Sequence, residues 1–484
     1  MIQRLLLVST LAFLLVVALA GCGGSSFHSG PPPTGGFSNS SFTGTYSFTI
    51  VGSNTGGFFT IAGSITANGS GTITSGTVDI NSPGTIGVAT NVSATGSYSV
   101  KADGRGTATL TTSAGTFNFD FVILTAQRAL VIRFDGNASA SGTLDLQNAA
   151  AANLLTLAGS FVFNLDGVDG ATQNTEASAG IFTIDTSGDV TAGVQDTNRN
   201  GVLSTNAAMS IGPLAMSVPV NGRGTLSLTT VADGTRNFVY YVISANQIRL
   251  IETDNAPILT GDAFRQTSTA ISGSFAFTTS GQSTNGPFAA GGILNTNGSG
   301  NILSTSMADS NNGGSVLQNV GLSGTYSVAG NGRGTMVLNG TTNFAIYPSS
   351  AGIQLLEIDA STVANGTAFQ QSGTFSNATL NGRYGVNVTG LITPSTEFDS
   401  IAQVMADGAG HFTGNLDMND GGLLSTGLAL NGTYNLAASG RATGSFVSGF
   451  GTQNVIYYAA SGTHVLFIEI DHNTVAVGDI EQQP

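Results

Sequence analysis

Four stretches, Gly44-Thr45-Tyr46-Ser47-Phe48, Gly159-Ser160-Phe161-Val162-Phe163, Gly273-Ser274-Phe275-Ala276-Phe277 and Gly382-Arg383-Tyr384-Gly385-Val386, open units that recur at intervals of about 110 residues. Solenoid units are less than half that long, so this period is that of a whole domain. Each unit also closes on a similar strand, Gly142 to Gln147, Gly261 to Gln266, Gly366 to Gln371 and Gly478 to Gln483. The repeats predicted in this way are residues 42–147, 157–266, 271–371 and 380–483. Their short connectors predict beads on a fairly stiff string, with residues 271–371 able to fold alone.

Inside each unit a second signature appears, clearest at Gly324-Thr325-Tyr326-Ser327-Val328-Ala329-Gly330-Asn331-Gly332-Arg333-Gly334-Thr335. Tyr326 and Val328 alternate with small polar residues at strand period, and Asn331-Gly332 offers the positive φ angles of a tight turn, so the stretch predicts a β-hairpin. Copies lie at Gly96 to Thr107 and Gly432 to Thr443, and a degraded one ends in Asn221-Gly222-Arg223-Gly224-Thr225. Turn residues divide the third unit into eight strands, around 273–279, 287–295, 300–308, 316–329, 333–339, 342–348, 352–359 and 365–371. The fold class predicted is all-β, four tandem eight-stranded antiparallel meanders, each closed as a β-barrel to remove its edges. The Gly-x-aromatic-x-aromatic opening strand resembles those of avidin and lipocalin barrels, which implies a small apolar or saccharide ligand inside each barrel. Because Gly-x-Tyr also recurs about 50 residues into a unit, an eight-bladed propeller is an alternative, and a set of β-sandwiches is another.

The N-terminus gives the cellular address. Arg4 precedes an apolar run from Leu5 to Ala18, too short to span a bilayer, and Leu19-Ala20-Gly21-Cys22 follows. This tetrapeptide resembles the lipobox of bacterial lipoprotein precursors. The resemblance implies a signal peptide over 1–21, cleavage before Cys22, lipidation of Cys22 and a membrane anchor of two or more acyl chains. Residues 22–41, with Pro31-Pro32-Pro33 and Gly35-Gly36, have the composition of a flexible tether. Gly23 after the cysteine, in lipoproteins resembling enterobacterial ones, implies outer-membrane or cell-surface sorting. Cys22 is the single cysteine, so the exported part has no disulfide. A net charge of −14 with one lysine excludes nucleic acid as a partner.

Residues able to carry chemistry are few. Arg105, Arg223, Arg333 and Arg441 share one repeat position, and acids end the seventh strand of each unit: Asp135, Glu252 with Asp254, Glu357 with Asp359, and Glu469 with Asp471. Two residues apart on a strand lie on one face, so each couple is suited to accept a guanidinium fork, and Arg333 is expected to pair with Glu357 or Asp359. A glycosidase-like carboxylate pair is the catalytic alternative. A recurring Asp-x-Asn extends in the second unit to Asp196, Asn198 and Asn200, which resembles the first half of an EF-hand loop and makes these three the calcium candidates. Ala207 stands where that loop needs a glutamate, and turn formation is the competing role. No cofactor fingerprint, nucleophile elbow or zinc spacing occurs. The sequence therefore predicts a lipid-anchored, extracytoplasmic cell-envelope protein whose tandem β-domains bind, adhere or space without catalysis. A propeller-type enzyme is the remaining alternative.

Overall fold

The structure, a computed structural model, describes residues 36–484 except Ala171, Thr267, Ser268 and 393–395. The signal peptide, Cys22 and most of the tether lie outside the described residues. Four eight-stranded antiparallel sheets follow one another along the chain, three of them closed barrels. In the third, strands run Gly273–Ser283, Gly286–Thr296, Asn301–Asn312, Ser315–Val328, Gly334–Leu338, Thr342–Ser349, Gly352–Glu357 and Thr362–Gln370. The last strand pairs with the first, Phe277 opposite Ala368, and closes the barrel.

The second sheet departs from this pattern. Its terminal strands, Val202–Ala208 and Arg223–Thr230, are not paired to each other. Fourteen-residue strands occupy the equivalent place in the other barrels, Gly87–Val100, Ser315–Val328 and Leu423–Leu436. Here the chain carries Pro213 and Pro219, which have no N–H to give a ladder. The intervening segment bridges the gap with isolated contacts, Ser210 N–H to Thr229 O on one side and a reciprocal pair between Gly212 and Val190 on the other.

Alternation along the strands fills each barrel with apolar side chains. In the first, Phe48, Ile65, Leu110, Phe119 and Phe121 leave a void of about 20 Å³, lined by apolar side chains alone. The tyrosine of the Gly-x-Tyr signature points into this core and holds a plug across the barrel end. Tyr98 donates to Phe42 O, Tyr326 to Ile271 O and Tyr434 to Leu380 O. Two plugs are short 3-10 turns, Asn39–Ser41 and Asn377–Thr379. Residues 38–41, assigned to the tether on composition, therefore belong to the folded body.

The barrels do not hang as separate beads. Strands one to three of each pack on strands six to eight of the next, and the fourth packs back on the first, so residues 36–484 close into a ring. Between barrels two and three, Val162, Ala179 and Ile181 meet Ala345, Tyr347 and Leu356. Between three and four, Ala276, Ala289 and Ile293 meet Ile456, Tyr458 and Ile468. The outward faces of these strands are thus buried too, which is why seventh strands such as Gly352–Glu357 read as near-continuous apolar runs rather than alternating ones.

Candidate functional site: the inter-barrel seams and the axial channel

The repeated arginines and the Asp-x-Asn residues find partners in a neighbouring barrel. The aspartate of Asp-x-Asn lies at a bulge in the third strand, where the facing residue adopts positive φ: Asn91, Asn206 and Asn319. One carboxylate oxygen accepts that residue's N–H, Asn91 to Asp79, Asn206 to Asp196 and Asn319 to Asp309. The same carboxylate takes a bidentate fork from the next barrel's arginine: Arg223 on Asp79, Arg333 on Asp196 and Arg441 on Asp309, at 2.6 to 2.8 Å. A tyrosine completes each site, Tyr241, Tyr347 or Tyr458. The fourth seam is looser, since Arg105 reaches Asp417 at 3.4 Å while bonding Asp103 at 2.9 Å. Val122 stands there where the other seams have tyrosine, opposite Arg105 as Tyr241 is opposite Arg223.

The expected pairing of Arg333 with Glu357 or Asp359 is therefore replaced by one with Asp196. The hairpin after Val328 carries Arg333 to the barrel's outer surface, where the previous barrel's third strand lies against it. The calcium reading of Asp196, Asn198 and Asn200 also gives way. Asp196 is saturated by donors, Asn198 donates to Glu357 O, Asp359 O and Thr362 O, and Asn200 is a turn residue at φ 47. Among the described residues, no group of three or more His, Cys, Asp or Glu is placed to hold a metal ion.

The acidic couples have divided duties. Asp254, Asp359 and Asp471 each accept from the backbone and side chain of one asparagine, Asn237, Asn343 and Asn454. Asp135 instead pairs with Arg133 at 2.9 Å, and that guanidinium lies over Phe59 and Phe117. Glu252, Glu357 and Glu469 are buried, and desolvation lifts their carboxyls to about 9, 8 and 8. No guanidinium fork reaches these three, and they lie on the strand faces of Leu250, Leu355 and Phe467, buried inside their own barrels.

A further seam device was present in the sequence as the closing glutamine, without a sign of its partner. Gln147 donates to Val242 O, Gln371 to Ala459 O and Gln483 to Ile123 O, each in the following barrel. The glutamine lies on the hairpin glycine of that barrel. A Cβ on Gly104 or Gly222 would be 2.6 Å from Gln483 Nε2 or Gln147 Nε2, and on Gly332 or Gly440 closer still to Gln266 or Gln371.

The ring encloses a channel on its axis. One part, about 570 Å³, is walled by Thr49 and Thr143 of the first barrel, Asn164 and Asp166 of the second, and Gln282 and Asn365 of the third. An adjoining part of about 240 Å³ is more apolar, with Phe288, Leu391, Val475 and Val477 beside Glu397. Phe58 lines both. Arg249 and Asp262 also line this cavity, and with Asp145, Arg128 and Glu481 they form a chain of ion pairs through barrels two, one and four. Burial opposes charge on Asp145, but Arg128 and Arg249 hold its carboxyl below the usual range.

No family model matches this chain, and neither does any curated protein. Among solved structures, it is similar to a mutant of transferrin binding protein B from Haemophilus parasuis Hp5, at 9% identity over 74% of this chain and 83% of that one, with a TM-score of 0.20. Isotype 1 transferrin binding protein B from serogroup B Neisseria meningitidis gives 9%, 73%, 83% and 0.20, and CghA gives 8%, 91%, 89% and 0.14. At such TM-scores the functional reading rests on this chain's own geometry.

Proposed function

We propose that this protein is an exported, lipid-anchored binding body of the cell envelope. The repeats 42–147, 157–266, 271–371 and 380–483 form one rigid ring, held off an outer membrane or cell surface through Cys22 and a tether. The observation that carries this is the recurrence of buried contacts across the seams, an Asn side chain on the next barrel's backbone at all four and an Asp–Arg fork at three. The candidate catalytic glutamates are buried inside their own barrels, and a stiff body with outward loops and an axial channel is left to meet partners. Filled barrel interiors weigh against ligands held inside single barrels, as the lipocalin resemblance implied, and shift binding to the spaces between barrels. Anchoring is tested by Cys22→Ser: the variant is expected in the soluble extracytoplasmic fraction. Its retention in membranes after a high-salt wash would remove the anchor from this reading.

A further inference from the structure

The axial channel holds polar side chains that the ring does not use. Asp166 faces the channel from the strand Gly159–Val168 and has no hydrogen-bond or ion-pair partner. It is open to channel water yet walled by protein all round, and this desolvation lifts its carboxyl to about 6. Gln282, from the third barrel, has a free amide at the same cavity. Thr49 Oγ1, from the first, is buried without a partner. Asn164, Gln354 and Asn365 form an amide cluster beside them, with Asn365 Nδ2 to Asn164 Oδ1 at 2.8 Å. Asp166 is exposed within the channel, and with the Gln282 amide and the unpartnered Thr49 hydroxyl it leaves polar groups of three barrels free to meet another molecule there.

The kind of molecule follows from the wall. Polar groups on one side are mostly neutral and both donate and accept. Arg249, the cation in the cavity wall among the described residues, is fully engaged by Asp145, Asp262, Thr143 and Ser47 O, so it does not await a phosphate or carboxylate. On the other side Phe58, Phe288 and Leu391 offer apolar surface. A pyranose has a ring of hydroxyls and an apolar C–H face, and so matches both walls. The combined volume suits a few sugar units.

We infer that the axial channel binds a neutral oligosaccharide, with Asp166, Gln282 and Asn365 on its hydroxyls and Phe58 against a sugar face. The inference rests on the binding role proposed above but not on the anchor, so its failure leaves the Cys22 experiment unaffected. The test applies the fluorescently labelled full chain to an array of neutral glycans, with calorimetry on the best binder and on spermine as an amine control. Binding of a neutral glycan is expected, weakened about tenfold or more in Asp166→Ala and in Gln282→Ala. Gln282→Ala breaks no side-chain hydrogen bond among the described residues, so it reports binding even where Asp166→Ala disturbs folding. The inference is overturned if no neutral glycan binds, if both folded variants bind as the parent does, or if spermine binds and the glycans do not.

Discussion

The Asp196 carboxylate shows how one side chain serves two barrels. It is fully buried, and its charge is matched by Arg333, Tyr347 and the Asn206 N–H. Arg333→Met would leave a buried anion short of its main partner, so a loss of about 3 to 5 kcal/mol is expected by denaturant unfolding. Adding Asp196→Asn should recover part of it, because the two losses share one cause. Equal and additive losses would show that the pair is not coupled. Glu252, Glu357 and Glu469 carry the opposite electrostatics. Burial raises their folded pKa from 4.5 to about 9, 8 and 8, so the folded state keeps protons that the unfolded chain releases. Their contribution to stability is complete below pH 4.5 and is lost as pH climbs to between 8 and 9. Melting temperature should therefore fall across that window, and Glu→Gln at all three positions should flatten the fall and raise stability at pH 8.5 relative to the parent. An unchanged slope in the triple variant would mean that these carboxyls ionise freely.

At the scale of the element, the signature hairpin explains which features were legible. Alternation and turn residues placed the third barrel's strands to within a few residues, because hairpin pairing is local. The turn itself differs in detail: Gly332 has φ 91, while Asn331 acts through its side chain, which accepts the Arg333 N–H. What the sequence did not reveal is that the turn's glycine has a second duty against Gln266 of the preceding barrel. Arg333, Gly332, Asp196 and Gln266 were each visible as recurrences, but their pairing depends on one barrel's orientation against the next, and no local pattern records that. The interrupted second barrel was legible only as a degraded signature, though Pro213 and Pro219 were its cause. Gly332→Ala separates the two duties of the glycine. Gly340 also has positive φ, 74, with nothing within 4 Å of an added Cβ, so Gly340→Ala reports backbone strain alone, about 1 kcal/mol. Gly332→Ala should cost more than Gly340→Ala, and Gln266→Ala should remove the difference. If both glycine variants melt together, the glutamine contact contributes nothing.

At the scale of the molecule, the seam between the fourth and first barrels lacks a covalent connector yet repeats the other seams. Asn419 donates to Arg133 O and Ala138 O as Asn198 does to the third barrel, and Gln483 donates to Ile123 O as Gln147 does to Val242 O. Where Tyr241, Tyr347 and Tyr458 are missing a counterpart, the seam adds Ser139 on Asp399 at 2.7 Å and the double contact of Arg128 with Glu481. The head-to-tail interface closes after four copies, and a closed ring has no preferred starting barrel. The ends of the described chain also meet: Phe37 and Gln483 both lie against Gly104. Residues 36–42 enter the first barrel through the turn Asn39–Ser41, as 372–380 enter the fourth through Asn377–Thr379. Joining Pro484 to Gly36 and opening the chain before Ser372 should therefore give a permuted ring, in barrel order four, one, two, three, with the parent's single cooperative transition. Truncation to residues 36–371 keeps every covalent link among three barrels but strips Asp309 and Asn311, both buried in the seam, of their partners in the fourth barrel. It should melt well below the permutant. A truncated chain as stable as the permutant would show that the barrels are stable singly and that the ring adds nothing, whereas a permutant that fails to fold would show that the connector over 372–380, not the seam, sets the arrangement.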